Sequence, residues 1–235
     1  MKQIDFLCLG AHADDIEIAM GGTVAKMVAA GRTGLLVDVT DGGMGTRGTP
    51  EERRDEAMAS ALVLGTPRRN MGFPDGGLHP HDPQLVSEIV ALIRDVRPVA
   101  VFTHPMRDRH PDHEALASCV HYACFKSGLA KWLAPGAPWR PARVFHWMGA
   151  RDGEPTFCVD VSDHWETREK SLLAYTSQFG SGGTPTALSG ERFQDFLKSR
   201  ARFLGSRIRA RYAEGFACEE IPEVVDPCAL SGEDF

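Results

Sequence analysis

The stretch Ile4-Asp5-Phe6-Leu7-Cys8-Leu9-Gly10-Ala11-His12-Ala13-Asp14-Asp15-Ile16-Glu17 runs from an apolar segment into a glycine, a histidine and two adjacent carboxylates. A short apolar run bounded by glycine reads as a buried strand, so one imidazole and two carboxylates stand where a strand ends. Working outward, apolar or β-branched runs recur at 35–39, 99–103, 144–147 and 157–161, with segments of helical periodicity between the earlier ones. That alternation predicts βαβ units. The expected fold is α/β, a single domain over residues 1–235 with a doubly wound, mostly parallel, Rossmann-like sheet. Ligands of such sheets bind beyond the carboxyl ends of the strands, where the first cluster falls.

The helices announce themselves locally. Residues 22–30 read as the first crossover helix, with Val24, Met27 and Val28 on one face and Gly31 as its stop. Thr49-Pro50-Glu51-Glu52 has the form of a capping box with proline in the first turn, which places Arg53 and Arg54 early in the next helix. Further helices are expected over 83–96, 112–129, 166–175 and 191–213, and the tail from Gly215 reads as irregular and acidic, packed on the surface or at a subunit contact. Two glycine-bearing loops, 41–48 and 72–77, follow the sheet pattern closely enough to be expected over the ligand crevice.

A formal net charge of -6, with arginines dispersed rather than run together, offers no basic face for nucleic acid. No stretch is apolar for long enough to suggest a membrane helix, and no leader pattern opens the chain, so a cytoplasmic location is expected. Six cysteines without a CxxC pair or regular spacing argue for reduced, mostly buried thiols.

The second cluster, Arg109-His110-Pro111-Asp112-His113, follows the apolar run at 99–103. Either cluster alone has a plain reading: a structural histidine, or an Asp pair capping a helix. Together, after two strands, they suggest a metal site. His12, Asp15 and His113 supply two imidazoles and a carboxylate, a set that suits zinc, with ferrous iron the alternative, and leaves a position for water. Asp14 is then the candidate general base and His110 the candidate partner for a developing oxyanion or the leaving amine. Asp112 is expected to cap the following helix, and His104 and Glu17 are candidates to stand behind the ligands. His79, His81, His121, His146 and His164 are read as structural or surface residues. Two other classes share these features: non-haem iron oxygenases use the same triad of ligands, and a ligand-binding module could use the same sheet, although residues 10–22 lack the G-x-G-x-x-G spacing.

At these residues the chain resembles the LmbE-like/PIG-L family of zinc-dependent N-acetylglucosaminide deacetylases, whose motifs read AHPDDxE and HPDH. Here they stand as Ala11 to Glu17 and His110 to His113, with Ala13 in place of the usual proline. Segments 45–53, 72–76, 108–113, 175–178 and 200–206 look like the bacillithiol-biosynthesis branch, so the resemblance covers nearly the whole chain. It implies removal of the acetyl group from N-acetylglucosaminyl-malate, with His12, Asp15 and His113 as zinc ligands, Asp14 as base, His110 as oxyanion or acid partner, and a homo-oligomer. Malate carries two carboxylates, for which a guanidinium fork is the natural partner, and Arg53 and Arg109 are the best-placed candidates, ahead of Arg47 and Arg54. An inositol glycoside, a chitin fragment or an antibiotic sugar would offer the same acetamide.

Overall fold

The computed structural model describes residues 3–226 apart from 150–152, 181, 183 and 222. Its strands are β1 (Phe6–Gly10), β2 (Gly34–Thr40), β3 (Arg68–Phe73), β4 (Ala100–Thr103), β5 (Arg143–Trp147), β6 (Phe157–Asp160) and β7 (Ala213–Cys218). They form one seven-stranded sheet in the order β3-β2-β1-β4-β5-β7-β6. The first five are parallel to one another, and β7 runs antiparallel between β5 and β6. The helices are α1 (Asp15–Ala29), α2 (Pro50–Leu64), α3 (Pro83–Val96), α4 (Pro111–Ser127), α5 (Trp165–Leu173), α6 (Thr176–Phe179) and α7 (Glu191–Ser206). The mostly parallel α/β sheet expected from the sequence is present.

Both faces of the central strands are covered, which is why they read as continuous apolar runs. Leu7 and Leu9 of β1 join Val37, Val101 and the inner faces of α3 and α4, whereas Phe6 and Cys8 point the other way, to Ile16, Met20 and Val24 of α1. The chain winds outward from β1 to β3, then returns to β4 beside β1. The carboxyl ends of β1 and β4 therefore flank the topological switch point.

The capping box is made: Thr49 N–H donates to Glu52 Oε2 at 2.8 Å and Glu52 N–H donates to Thr49 Oγ1 at 3.1 Å. Helix α3 has the expected bounds, capped by Asp82, whose carboxylate accepts the Leu85 N–H.

Four expectations need correction. The first helix begins at Asp15, inside the motif, rather than at residue 22, and it is broken at Met20 (φ -147°). It resumes because the buried Glu214 carboxylate accepts the N–H groups of Gly22 and Thr23, acting as a cap from the far end of the chain. Strand β3 has no counterpart among the apolar runs: its sequence, RRNMGF, is polar, and it sits at the sheet edge with most side chains partly or fully exposed. Helix α7 ends at Ser206, not at 213, because the N–H groups of Ile208 and Ala210 both return to the Gly205 carbonyl. Residues 213–218 are strand β7, so the tail is ordered sheet at its start rather than irregular. The end of the tail, including Cys228, lies outside the described residues.

Candidate active site

The segments after β1 and β4 bring the two histidine clusters together. Asp15 is the hub. Its Oδ2 accepts the His12 N–H at 2.7 Å and lies 3.3 Å from His12 Nδ1, while its Oδ1 lies 3.3 Å from His113 Nε2. His110 packs edge-on to His12 and stacked on His113, both at 4.7 Å between ring centres. Donor atoms of His12, His110 and His113 lie within 4.8 Å of one another, as do those of Asp15, His104 and His113, and of His12, Asp75 and Asp112.

Three further side chains join this centre, of which the sequence pattern singles out only His104, as a group standing behind the ligands. His104 is buried against Asp15 and stacks on His113 at 3.9 Å. Its Nε2 accepts the Ala11 N–H at 2.9 Å, so that lone pair is spent and the ring supports the centre rather than ligating. Burial holds it neutral, with a pKa lowered to about 4. Asp75, from the loop after β3, places Oδ1 2.9 Å from His12 Nε2 and accepts the Met44 N–H with its other oxygen. Asp108 places Oδ2 3.4 Å from His113 Nδ1 and accepts the His110 N–H. Asp108 thus stands on the Nδ1 side of the His113 ring and Asp15 on its Nε2 side, which sets the orientation of the ring. Sequence offered no signal for Asp75 beyond the glycine-bearing loop that carries it.

Asp112 is not the cap of α4. The cap is His110, whose Nδ1 accepts the Asp112 N–H at 3.3 Å, and the Asp112 carboxylate instead accepts N–H groups from Gly76 and Leu78 across the crevice. Proline at 111 leaves no N–H there, so the nearest free donor is that of Asp112 itself. Glu17 lies one layer below the centre, bonded to Ser60 and Arg68.

Asp14 is almost wholly buried and holds a left-handed backbone, φ 98°, that is rare outside glycine. Its side chain makes no cap bond; Oδ2 has no hydrogen-bond partner, and Arg53 Nη2 stands 3.8 Å away. Burial, only partly offset by Arg53, raises its pKa to about 7. Burial opposes charge on His12 and His113, yet the carboxylates Asp112, Asp15 and Asp75 raise His12 to about 12, and Asp15 and Asp108 raise His113 to about 9. Burial lowers the His110 pKa.

The residues fit a divalent cation. Negative oxygens and imidazole nitrogens converge on a buried point, with His12 Nε2 facing the Asp75 and Asp112 carboxylates. Arg53 and Arg109 both line the cavity of about 920 Å³ that opens over this centre. Arg109 is exposed at its rim. Arg53 is buried, and its fork donates to the carbonyls of Ala13 and Gly42.

Fold and site together define a class: Rossmann-like α/β proteins with an imidazole–carboxylate cation centre beside a buried carboxylate. Within that class the chain belongs to the PIG-L family, whose model, described as GlcNAc-PI de-N-acetylase, matches residues 7–124, from β1 through α4. The diacetylchitobiose deacetylase of Thermococcus kodakarensis is 28% identical over 89% of this chain and 80% of its own length. The 1D-myo-inositol 2-acetamido-2-deoxy-alpha-D-glucopyranoside deacetylase of Rhodococcus opacus is 26% identical over 84% of this chain and 90% of its own. Among solved structures, the conserved protein TT1542 of Thermus thermophilus superposes with a TM-score of 0.87 at 35% identity, covering 95% of this chain and 98% of that one. No described helix is long and apolar enough to cross a membrane.

Proposed function

We propose that the protein hydrolyses the acetamide of an N-acetylglucosaminyl conjugate, foremost N-acetylglucosaminyl-malate, releasing acetate and the free amine as a step of bacillithiol biosynthesis. Asp14 carries the reading: a buried carboxylate with an unpaired oxygen, next to a cation centre and open to a cavity. Neither an oxygenase nor a passive binding module has a use for it. The deacetylase relatives act on acetylated sugars, as their names state, which supports the same bond as the target.

His12, Asp15 and His113 would hold the ion, zinc or ferrous iron, whose chemistry is to polarise the acetamide carbonyl and acidify a water. Asp14 takes a proton from that water as its oxygen adds to the carbonyl carbon; a pKa near 7 lets the carboxylate both accept a proton and release it at neutral pH. His110 accepts the Asp112 N–H through Nδ1, so a neutral ring carries its proton on Nε2 and donates it to the developing oxyanion. The C–N bond then breaks as the proton taken up by Asp14 passes to the departing nitrogen, while His110 keeps its own and holds the oxyanion by a hydrogen bond. Arg109, exposed at the rim, is assigned to a malate carboxylate. Arg53 could reach the second only by releasing a main-chain carbonyl, so it acts partly by holding Ala13 and Asp14 in place.

The test is release of primary amine from N-acetylglucosaminyl-malate and from free N-acetylglucosamine, by protein stripped with chelator and reloaded with zinc or ferrous iron. Restored turnover favouring the malate glycoside is expected. Arg109→Ala should lower kcat/KM for the malate glycoside far more than for free N-acetylglucosamine, whereas Arg53→Ala should lower both. Equal loss on both substrates in Arg109→Ala would remove the carboxylate assignment.

A further inference from the structure

The cavity has two unlike walls, and sheet order sets them on opposite sides of the histidine centre. Segments after β2 and β3, with α2, give one wall, mostly polar: Thr46, Asp75, Gly76 and Arg53, with the exposed Met44 among them. The other is built from Ile18 and Ala19, one turn past Asp15 on α1, from Trp147 and Met148 at the end of β5, and from Phe196 and Leu197 on α7. Trp147 meets the edge of His104 at 4.7 Å, so this apolar wall begins at the centre itself. It ends at Phe196, which is about half exposed. Arg200 stands at the same edge with its guanidinium donated to the Ile18 and Gly149 carbonyls.

An amide substrate has two arms. The hydroxyl-rich sugar arm suits the polar wall, which leaves the acyl arm facing the apolar one. The methyl of an acetyl group covers little of a surface supplied by six side chains, and a cavity of about 920 Å³ is near the top of the range of roughly 300–1,000 Å³ that holds drug-sized ligands. Resting on the reading of the site as an amide hydrolase, we propose that the protein also cleaves glucosaminides bearing longer apolar N-acyl groups, such as butanoyl and hexanoyl, with the chain lying along Ile18, Trp147, Met148, Leu197 and Phe196. Water adds to the acyl carbonyl carbon, the C–N bond breaks, the short fatty acid leaves as its carboxylate, and the proton goes to the amine.

Metal-loaded protein is assayed for amine release from N-acetyl-, N-butanoyl- and N-hexanoylglucosamine, and from hexyl N-acetylglucosaminide. Burial of each added methylene predicts a kcat/KM gain of up to about fourfold along the acyl series. Values for butanoyl and hexanoyl at or above that for acetyl support the proposal. A fall of about threefold or more from acetyl to butanoyl overturns it while leaving the deacetylase reading intact, and a gain confined to the hexyl glycoside overturns it by giving the wall to the sugar's substituent. Cleavage of hexanoyl without acetyl keeps the proposal; amine from none of them overturns it, and the deacetylase reading is then judged on N-acetylglucosaminyl-malate alone. Phe196→Asp, at a half-exposed position, should lower the hexanoyl-to-acetyl ratio of kcat/KM by about fivefold or more, and an unchanged ratio removes the chain from this wall.

Discussion

Asp14 and Asp15 are neighbours of identical chemistry with opposite fates. Asp15 turns into the histidines, which hold its carboxyl well below the ordinary range although burial opposes this, whereas Asp14 turns from them and is raised by burial to about 7. The backbone explains the divergence: a left-handed Asp14 directs consecutive side chains to different walls. Asp14→Asn should lower kcat by about 10²–10⁴-fold with metal content unchanged, as read by turnover beside metal analysis; loss of the metal would make Asp14 a ligand instead. Because the base works ionised, kcat/KM should fall as pH drops through about 7, with Asp14→Asn lacking that limb in its residual rate. His12 and His113, raised to about 12 and about 9, are both protonated at neutral pH before an ion binds. Ion binding must displace those protons, so calorimetry in buffers of different ionisation enthalpy should find about two released per ion, and affinity should weaken as pH falls.

At the scale of elements, α1 is two helical pieces joined at Met20, and Glu214 of β7 makes the second start. Glu214→Ala would leave the Gly22 and Thr23 N–H groups buried without acceptors, at a cost of about 1–3 kcal/mol in urea unfolding. Gly22 has its own constraint: a Cβ there would stand 2.8 Å from Val161 Cβ. Gly22, expected to open the first helix, is thus a joint where β7 and the segment after β6 approach α1. The loops over the cavity are tied in the same nonlocal way, since Arg47 donates to the Gln178 and Gly180 carbonyls and Gln178 donates back to the Arg47 carbonyl.

At the scale of the whole molecule, the site rests on a buried ionic layer. Arg68, at the start of β3, donates a fork to Asp38 at 2.7 and 2.6 Å and a further bond to Glu17, joining the sheet edge to α1 beneath the centre. Burial makes both states of such a network costly to break: Arg68→Met should destabilise by about 3–5 kcal/mol, because two carboxylates lose their buried counter-charge. A loss below about 1 kcal/mol by denaturant titration would show that water reaches the layer.

Much of this protein is written locally. The apolar run before His12, the capping box at Thr49 and the HPDH cluster each depend on residues close in sequence, so the parallel sheet, α2 and α3 could be read from the chain alone, and so could the two histidine clusters that the sheet brings together. Tertiary structure decided the remainder. The polar β3 becomes a strand because β2 offers it hydrogen bonds, β7 exists because β5 and β6 leave a gap for it, and Asp75, Asp108 and His104 join the centre because loops after different strands meet at one end of the sheet. The physical reason is that hydrophobic period and capping chemistry act within a few residues, whereas backbone pairing, the charge around a buried carboxylate and the shape of a cavity depend on residues far apart along the chain.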